Sequence, residues 1–260
     1  MKIAGKVKRS FSKSAKNYAR HAGLQREVSG YLVRDFALCT APRTVLDIGC
    51  GTGFTSEEAA QRWPTALVAA LDIAYPMAAE TRRNGTALAV AADAVALPFR
   101  EGSFDVAVSS LAFQWLFSPG AGEGLFHGIS RVLKSGGTLC FSTLAPGTLA
   151  ELRKAYDQAC RQCTGRGADF LPMPDAQNIE RMMANAGFAA MRFKSQTIRR
   201  PYENVDGLFE ILRGIGATAP GRPQNPPRRD VLDKTRLLYP STGGLIHATY
   251  EVQYFQGVKP

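Results

Sequence analysis

The sequence lacks the features that mark several special classes of protein. Among its 260 residues, no apolar run approaches the ~18 residues that a membrane-spanning helix needs, which argues against an integral membrane protein. Five cysteines, an odd number, do not indicate a disulfide framework, so a reducing, cytoplasmic location is expected. Three histidines lie far apart and predict no metal site. No apolar stretch follows the basic N-terminal residues, so no secretory signal is expected, although such a start also occurs in transit peptides.

Acidic residues are scarce as well. The chain has 22 Asp and Glu against 32 Lys and Arg, a net charge of +10. Residues 44–110 nevertheless carry eight acids and four bases, a local charge of −4, so the two flanks together carry +14. With 45% hydrophobic and 21% charged residues, the chain can bury the core of one large α/β domain. Any anionic partner is therefore expected to meet the flanks.

The N-terminal segment, residues 1–38, has the periodicity of a helical lid. Phe11, Ala15, Tyr18 and Ala22 recur at helical spacing and predict one buried stripe. Basic residues repeat with the same spacing on roughly the opposite side. This basic face is interpreted either as solvated or as a docking surface for an anionic partner. It comprises Lys2, Lys6, Arg9, Lys13, Lys16 and Arg20.

From residue 44 onward, short buried runs alternate with helix-length intervals. This pattern predicts a mostly parallel sheet built from βαβ units. The predicted strands are residues 45–48, 67–71, 87–91, 104–108 and 138–144, with later candidates at 190–198 and 247–258. The predicted organisation is a single domain, 1–260. Its core spans 44–144, helical and loop additions around strand six span 145–245, and an antiparallel edge strand spans 246–260.

The strongest local signal is a glycine-rich turn that joins the first strand to a helix. Asp47 precedes Gly49, Gly51 and Gly53, where glycine lets backbone approach a ligand closely. The spacing is G-x-G-x-G, and Phe54 stands where the NAD fingerprint G-x-G-x-x-G continues. Asp47 would also repel a pyrophosphate. The turn therefore favours a ligand that carries an ammonium group and no phosphate.

S-adenosylmethionine has this chemistry, and the positions after the next strands agree. Asp72 ends the second strand, where a carboxylate can accept both ribose hydroxyls. Asp93 follows the third strand and can read the adenine edge together with the Ala94 amide. Each acid alone is equally compatible with a capping or surface role, but together they indicate the cofactor site of a class I methyltransferase. The remaining cofactor candidates are Ile73 and Met77 beside adenine, and Ser109 after strand four.

Several segments resemble the malonyl-acyl carrier protein methyltransferases of biotin synthesis (the BioC family). The glycine motif is shared by all class I methyltransferases, whereas the Q-W segment and the R-G-I-G-A-T segment are more specific. The resemblance runs from about residue 9 to the end, with Ser110 in place of the family's usual Asn. The matching segments are residues 11–18 (FSKSAKNY), 21–26 (HAGLQR), 109–115 (SSLAFQW), 147–152 (GTLAEL), 170–172 (FLP), 212–218 (LRGIGAT), and 250–252 to 257–258.

The resemblance implies a Rossmann-like seven-stranded sheet with helices on both faces and a helical lid. It also implies methyl transfer to the free carboxylate of malonyl-thioester on an acidic acyl carrier protein. Because that carboxylate is ionised at pH 7, no general base is expected. Tyr18 and Gln114 are expected to position the substrate, Trp115 to form an apolar wall, and Arg213 to hold the carboxylate, unless Arg213 is a surface arginine.

Two other functions use the same cofactor site. One is methylation of RNA or of a small molecule, since basic flanks also attract phosphate. The chain has no RNA-binding module and no D/N-P-P-Y/F motif after strand four, which argues against nucleic acid. The other is a non-catalytic S-adenosylmethionine-binding subunit, which the intact glycine turn and acidic positions disfavour.

Overall fold

One sheet forms the centre of the computed structural model, which describes residues 2–38, 41–117, 121–170, 172–173, 175–217 and 228–260. The strand order is β3-β2-β1-β4-β5-β8-β6, and the short β7 pairs with β8 outside this path. Strands β1 to β5 pair in parallel, whereas β8 is antiparallel to both neighbours. The predicted mostly parallel sheet of seven long strands is confirmed. The strands are β1 (Thr44–Ile48), β2 (Leu67–Asp72), β3 (Leu88–Ala91), β4 (Phe104–Ser110), β5 (Leu133–Leu144), β6 (Ala189–Tyr202), β7 (Ser241–Thr242) and β8 (Leu245–Val258).

Helices cover both faces of this sheet. On one face, Val45 and Val106 pack with residues of the segment after α2 and of α3. On the other, Leu46 and Ile48 pack with α5 and α7, as the period-two alternation of a strand requires. None of the helices within the described residues is long and apolar enough to cross a membrane. The helices are α1 (Lys2–His21), α2 (Gly23–Tyr31), α3 (Phe54–Arg62), α4 (Tyr75–Arg83), α5 (Ala121–Val132), α6 (Ala150–Thr164), α7 (Ala176–Asn185), α8 (Val205–Gly214) and α9 (Arg229–Leu238).

The C-terminal strand is not at the edge of the sheet, so the prediction for residues 246–260 is wrong on this point. Strand β8 lies between β5 and β6, and β6 is the edge strand. The alternating sequence of β8 suggested a solvated edge, but strands pair along both of its sides, and its polar side chains are half-buried or buried. Glu251, for example, accepts a hydrogen bond from the Thr197 hydroxyl of the neighbouring β6 at 2.9 Å. Most residues of β6 are exposed, as an edge position allows.

Helix α1 packs across the carboxyl end of the sheet through its predicted apolar stripe. Ala15 contacts a cluster with Ala74 on one side, and Ala22 contacts Phe54 and Ile215 on the other. Exposed side chains on the opposite side confirm the predicted basic face for Lys6, Arg9, Lys13, Lys16 and Arg20, whereas the Lys2 side chain lies outside the described residues.

The segment after α8 is shaped to receive α1. Gly216 has φ +72°, and a Cβ there would lie 2.9 Å from the Ser14 hydroxyl oxygen and 3.3 Å from the Ser10 carbonyl oxygen. The Ser10 hydroxyl donates to the Gly216 carbonyl at 2.8 Å. A Cβ on Gly214 would collide with the His21 ring. Gly214 at the end of α8 and Gly216 after it therefore allow α1 to pack closely on α8.

Candidate active site

The glycine turn after β1 forms one wall of a cleft at the carboxyl edge of the sheet. Gly49, Gly51 and Gly53 have φ values of +73°, +56° and +101°. A Cβ on Gly49 would lie only 2.5 Å from the Cβ of Ala112, in the loop after β4. A larger residue there would combine a left-handed backbone with a steric collision. The turn therefore exposes backbone to the cleft just before α3 begins at Phe54.

Asp72, at the end of β2, holds this turn and also lines the cleft. One carboxylate oxygen accepts from the Gly51 amide at 3.0 Å, and the other accepts from the Ala74 amide at 2.8 Å. Burial raises the pKa of Asp72, and the two hydrogen bonds partly oppose this shift. Each carboxylate oxygen can accept a further hydrogen bond. Asp72 can therefore receive two donors from a ligand without losing its structural bonds.

Asp47 is completely buried and does not line the cleft itself. Its Oδ2 accepts from the Ser56 hydroxyl at 2.6 Å, and its Oδ1 has no hydrogen-bond partner among the described residues. Burial raises the pKa of Asp47 to about 7, and the negative charge of Asp72 adds to the increase. A cationic donor near the turn would offset both effects. The acidic pair therefore fits the ammonium-bearing ligand that the sequence predicts.

The cleft brings together five of the ten predicted cofactor residues. Its volume is about 80 Å³. Asp93 stands next to it, where its Oδ1 accepts from the Val95 amide at 3.0 Å and caps a short 3₁₀ turn. Its role at an adenine edge stays a prediction. The predicted residues that line the cleft are Gly49, Gly51, Asp72, Ile73 and Ala94.

Two predicted cofactor residues face away from the cleft. Met77 is fully buried and packs with Ala15 and Ala74 beneath α1, because α4 turns this side chain towards α1. Ser109 is also fully buried, and its hydroxyl donates to the Ile48 carbonyl at 2.7 Å, which joins β4 to β1. The neighbouring Ser110 lines the cleft instead, since successive side chains on a strand point to opposite sides.

A second, larger cavity of about 620 Å³ adjoins the cleft. Helix α1, the loop after β4, the start of α6, and α8 contribute to its walls. The two spaces share four lining residues, Phe11, Tyr18, Leu111 and Trp115. The cavity is mostly apolar, and its lining contains arginine and histidine side chains but no Asp or Glu among the described residues. It is suited to an acyl chain that ends in an anion.

The three residues predicted to position and enclose a substrate all line this cavity. Burial raises the pKa of Tyr18 above its ordinary range, and the charge of Asp72 adds to the shift, so the phenol stays protonated and can donate. The Gln114 amide nitrogen donates to the Leu111 carbonyl at 2.6 Å, and its oxygen accepts from the Thr143 hydroxyl at 3.2 Å. Trp115 meets the Phe11 ring edge-on at 5.6 Å between centroids. The structure therefore brings Tyr18, Gln114 and Trp115 together.

The structure does not bring Arg213 to this cavity. Its side chain is exposed, and its charge acts on Asp206, which lies on the same helix. Leu212 and Ile215 line the cavity from the other side of this segment. Helical geometry separates the two sides. Around the helix axis, the Arg213 side chain is rotated by about 100° from that of Leu212 and by a larger angle from that of Ile215. The predicted contact between Arg213 and a substrate carboxylate therefore lacks support from the geometry.

Three other arginines line the cavity, and the sequence reasoning did not select any of them for this role. Arg20 is exposed, Arg200 is paired with Glu27, and Arg153 lies on α6 with its guanidinium carbon 4.4 Å above the centre of the Phe170 ring. A sequence signal existed for Arg153, since it directly follows the family-like segment 147–152.

Two cavity residues, Leu111 and Leu149, have φ of +49° and +55°. Such conformations are uncommon outside glycine and concentrate at functional sites.

The chain is similar to known methyltransferases. A family described as "Methyltransferase domain" matches residues 46–141. The malonyl-[acyl-carrier protein] O-methyltransferase of Methylovorus sp. is 36% identical over 270 residues, covering 98% of this chain and 88% of that protein. The "Biotin biosynthesis bifunctional protein BioHC" of Cellvibrio japonicus is also 36% identical, covering 98% of this chain and 50% of that protein.

A solved structure supports the fold independently. The phosphoethanolamine N-methyltransferase 2 of Haemonchus contortus, in complex with phosphomonomethylethanolamine and S-adenosylhomocysteine, superposes with a TM-score of 0.60. The match covers 96% of this chain and 57% of that protein, at 18% sequence identity. At that identity the likeness concerns the fold alone.

Proposed function

Because this chain belongs to the malonyl-[acyl-carrier protein] O-methyltransferase family, we propose that it methylates the free carboxylate of malonyl-acyl carrier protein in biotin synthesis. The observation that carries the proposal is the extent of the similarity. It covers 98% of the chain, whereas the general methyltransferase domain covers only residues 46–141. The likeness therefore includes α1, α6 and α8, which build the larger cavity.

S-adenosylmethionine is the cofactor, and the residues at the cleft fit it. Asp72 has acceptor positions for two ribose hydroxyls, and Ile73 and Ala94 offer apolar contact for adenine. Asp47 supplies a buried carboxylate oxygen near the turn that has no hydrogen-bond partner in the described part of the chain. When bound, the cofactor supplies a methyl group on a positively charged sulfur, and its transfer to a carboxylate gives a methyl ester without moving a proton.

The residues of this chain position the substrate and exclude water. A malonyl carboxylate has a pKa of about 4, so at pH 7 it is already ionised and needs no general base. Tyr18 retains its proton and donates from the wall that the cleft and the cavity share. The amide of Gln114 is held by Leu111 and Thr143, so its remaining N–H has a fixed direction. Phe11, Leu111 and Trp115 provide the apolar enclosure in which such hydrogen bonds are strengthened.

The basic face of α1 is the surface proposed to meet the carrier protein. Arg9, Lys13 and Lys16 are exposed on α1, and Arg20 of the same helix lines the cavity. An acidic carrier would be attracted over about 8–10 Å and guided towards the cavity that Arg20 lines. The acyl group would then enter the cavity while the carrier remains on the surface.

The decisive experiment compares acceptors under the same conditions. The purified protein is incubated with methyl-labelled S-adenosylmethionine and with malonyl-carrier protein, acetyl-carrier protein or bulk RNA. We expect label only on the malonyl carrier, as a base-labile methyl ester. Equal labelling of the acetyl carrier would contradict carboxylate methylation, and labelling of RNA alone would favour the nucleic-acid alternative. Cofactor binding without labelling of any acceptor would favour the non-catalytic alternative.

A further inference from the structure

The larger cavity carries a positive charge that the site described so far does not use. Of its three arginines, Arg200 is paired with Glu27 and Arg20 is exposed. Arg153 is half-buried, and among the described residues its guanidinium has no hydrogen-bond acceptor and no carboxylate partner. Its one side-chain contact of note is with the face of Phe170. Its five N–H donors are therefore available to a ligand.

The position of Arg153 suits a small carboxylate. It lies in the first turn of α6, one residue after Leu152 and four after the left-handed Leu149, and all three line the cavity. The surrounding wall is apolar, so an anion there meets little competition from water. Stacking on Phe170 restricts the guanidinium plane, which reduces the entropy lost when it binds a planar carboxylate.

We propose that Arg153 binds the carboxylate of the malonyl group in this cavity, the role that the sequence alone assigned to Arg213. This inference rests on the proposed function. A guanidinium can hold one carboxylate oxygen and leave the other free as the nucleophile, which also explains how the substrate is oriented without a general base. Arg153 recognises the carboxylate by its negative charge, so it adds no binding affinity for a neutral acyl group.

The test uses four variants and steady-state kinetics with malonyl-pantetheine, which lacks a phosphate, and with malonyl-carrier protein. Arg153→Met keeps the apolar stem beside Phe170 and removes the charge, and Arg153→Lys keeps the charge without the planar fork. Arg161→Met is the matched control on α6, because Arg161 is exposed and bonded to Asp157 at 2.8 Å. Arg213→Ala tests the rival assignment. Thermal unfolding and S-adenosylmethionine affinity are measured for each variant, to show that the fold and the cofactor site are intact.

We expect Arg153→Met to raise the KM for both malonyl substrates by about 10- to 150-fold, the loss expected for a hydrogen bond to a charged group. Arg153→Lys should recover part of this loss, whereas Arg161→Met should match the wild type. The inhibition constant of acetyl-pantetheine, which lacks the carboxylate, should be unchanged by Arg153→Met.

Three results would overturn the assignment while leaving the proposed function intact. The first is an unchanged KM in Arg153→Met, and the second is a larger increase in KM in Arg213→Ala than in Arg153→Met. The third is an increase in the KM of Arg153→Met for the carrier substrate alone, which would assign Arg153 to the phosphate of the carrier arm. A wild-type protein that methylates neither malonyl substrate would instead refute the proposed function, and this assignment with it.

Discussion

Replacing Asp72 by Asn gives the sharpest test of the proposed cofactor site, because Asp72 bonds the glycine turn and is also proposed to bind the ribose. Its two carboxylate oxygens accept from the Gly51 and Ala74 amides and still face the cleft. Asparagine has nearly the same shape but only one accepting oxygen and no charge. The variant therefore leaves one backbone amide without its acceptor and offers the ribose one acceptor in place of two.

The expected losses can be separated. Hydrogen bonds to a charged group contribute about 1.5–3 kcal/mol, so the dissociation constant for S-adenosylmethionine should rise by about 10- to 150-fold. The unpaired amide should reduce the free energy of unfolding of the cofactor-free protein by about 1–2 kcal/mol. The two effects are distinct, since the second exists without any ligand.

Calorimetric titration measures the first effect, and denaturant unfolding without cofactor measures the second. Glu101→Gln serves as the control, because Glu101 is an exposed acid in the same acidic segment, outside the cleft. A dissociation constant within twofold of the wild type would refute the placement of the ribose at Asp72, even if the variant were less stable.

The remaining predictions concern Asp47, Gly216 and the basic face of α1. Because burial raises the pKa of Asp47 to about 7, the cofactor-free fold retains this proton and should lose stability as pH rises from about 4 to 7. Affinity for S-adenosylmethionine should rise with pH from about 5.5 to 7.5, since the ammonium favours the ionised carboxylate. Titrations across this range should show a shallower rise for Asp47→Asn, in which Asp72, whose pKa burial also raises, is the remaining acid of the pair. Gly216→Ala places a Cβ against Ser14 and the Ser10 backbone at a residue with φ +72°. The strain should destabilise the packing of α1 by about 1–3 kcal/mol, which is measured as faster proteolysis in α1 while the sheet stays intact. Unchanged proteolysis would contradict this packing role. Reversing the exposed Arg9, Lys13 and Lys16 to Glu should slow methylation of malonyl-carrier protein and flatten the salt dependence of its rate. The rate with malonyl-pantetheine should be unchanged. Equal rates for the variant and the wild type with malonyl-carrier protein at low salt would show that the basic face is only solvated.

Much of the candidate cofactor cleft was predictable because its determinants are local in sequence. The glycines at 49, 51 and 53 adopt the left-handed conformations that their spacing suggested, and Asp72 ends its strand beside them. Parallel strands bring their carboxyl ends to one edge of a sheet, so recognising the strands also located the cleft. The same logic failed for Ser109 and Met77. Ser109 points into the core because side chains alternate along β4, and Met77 is covered by α1, which packs above α4.

The sequence by itself determined the elements that depend on near neighbours: the buried strands, the glycine turn, the acidic residue at the end of β2, and the two-sided character of α1. Tertiary structure decided which distant residues meet. It placed β8 inside the sheet, with β6 paired along its outer side. It also left Arg213 exposed on α8, while α6 brought Arg153 to the cavity that Tyr18 and Gln114 line. The physical reason is that helical and strand periodicity determine which side chains share a face, but the packing of whole elements determines what each face meets.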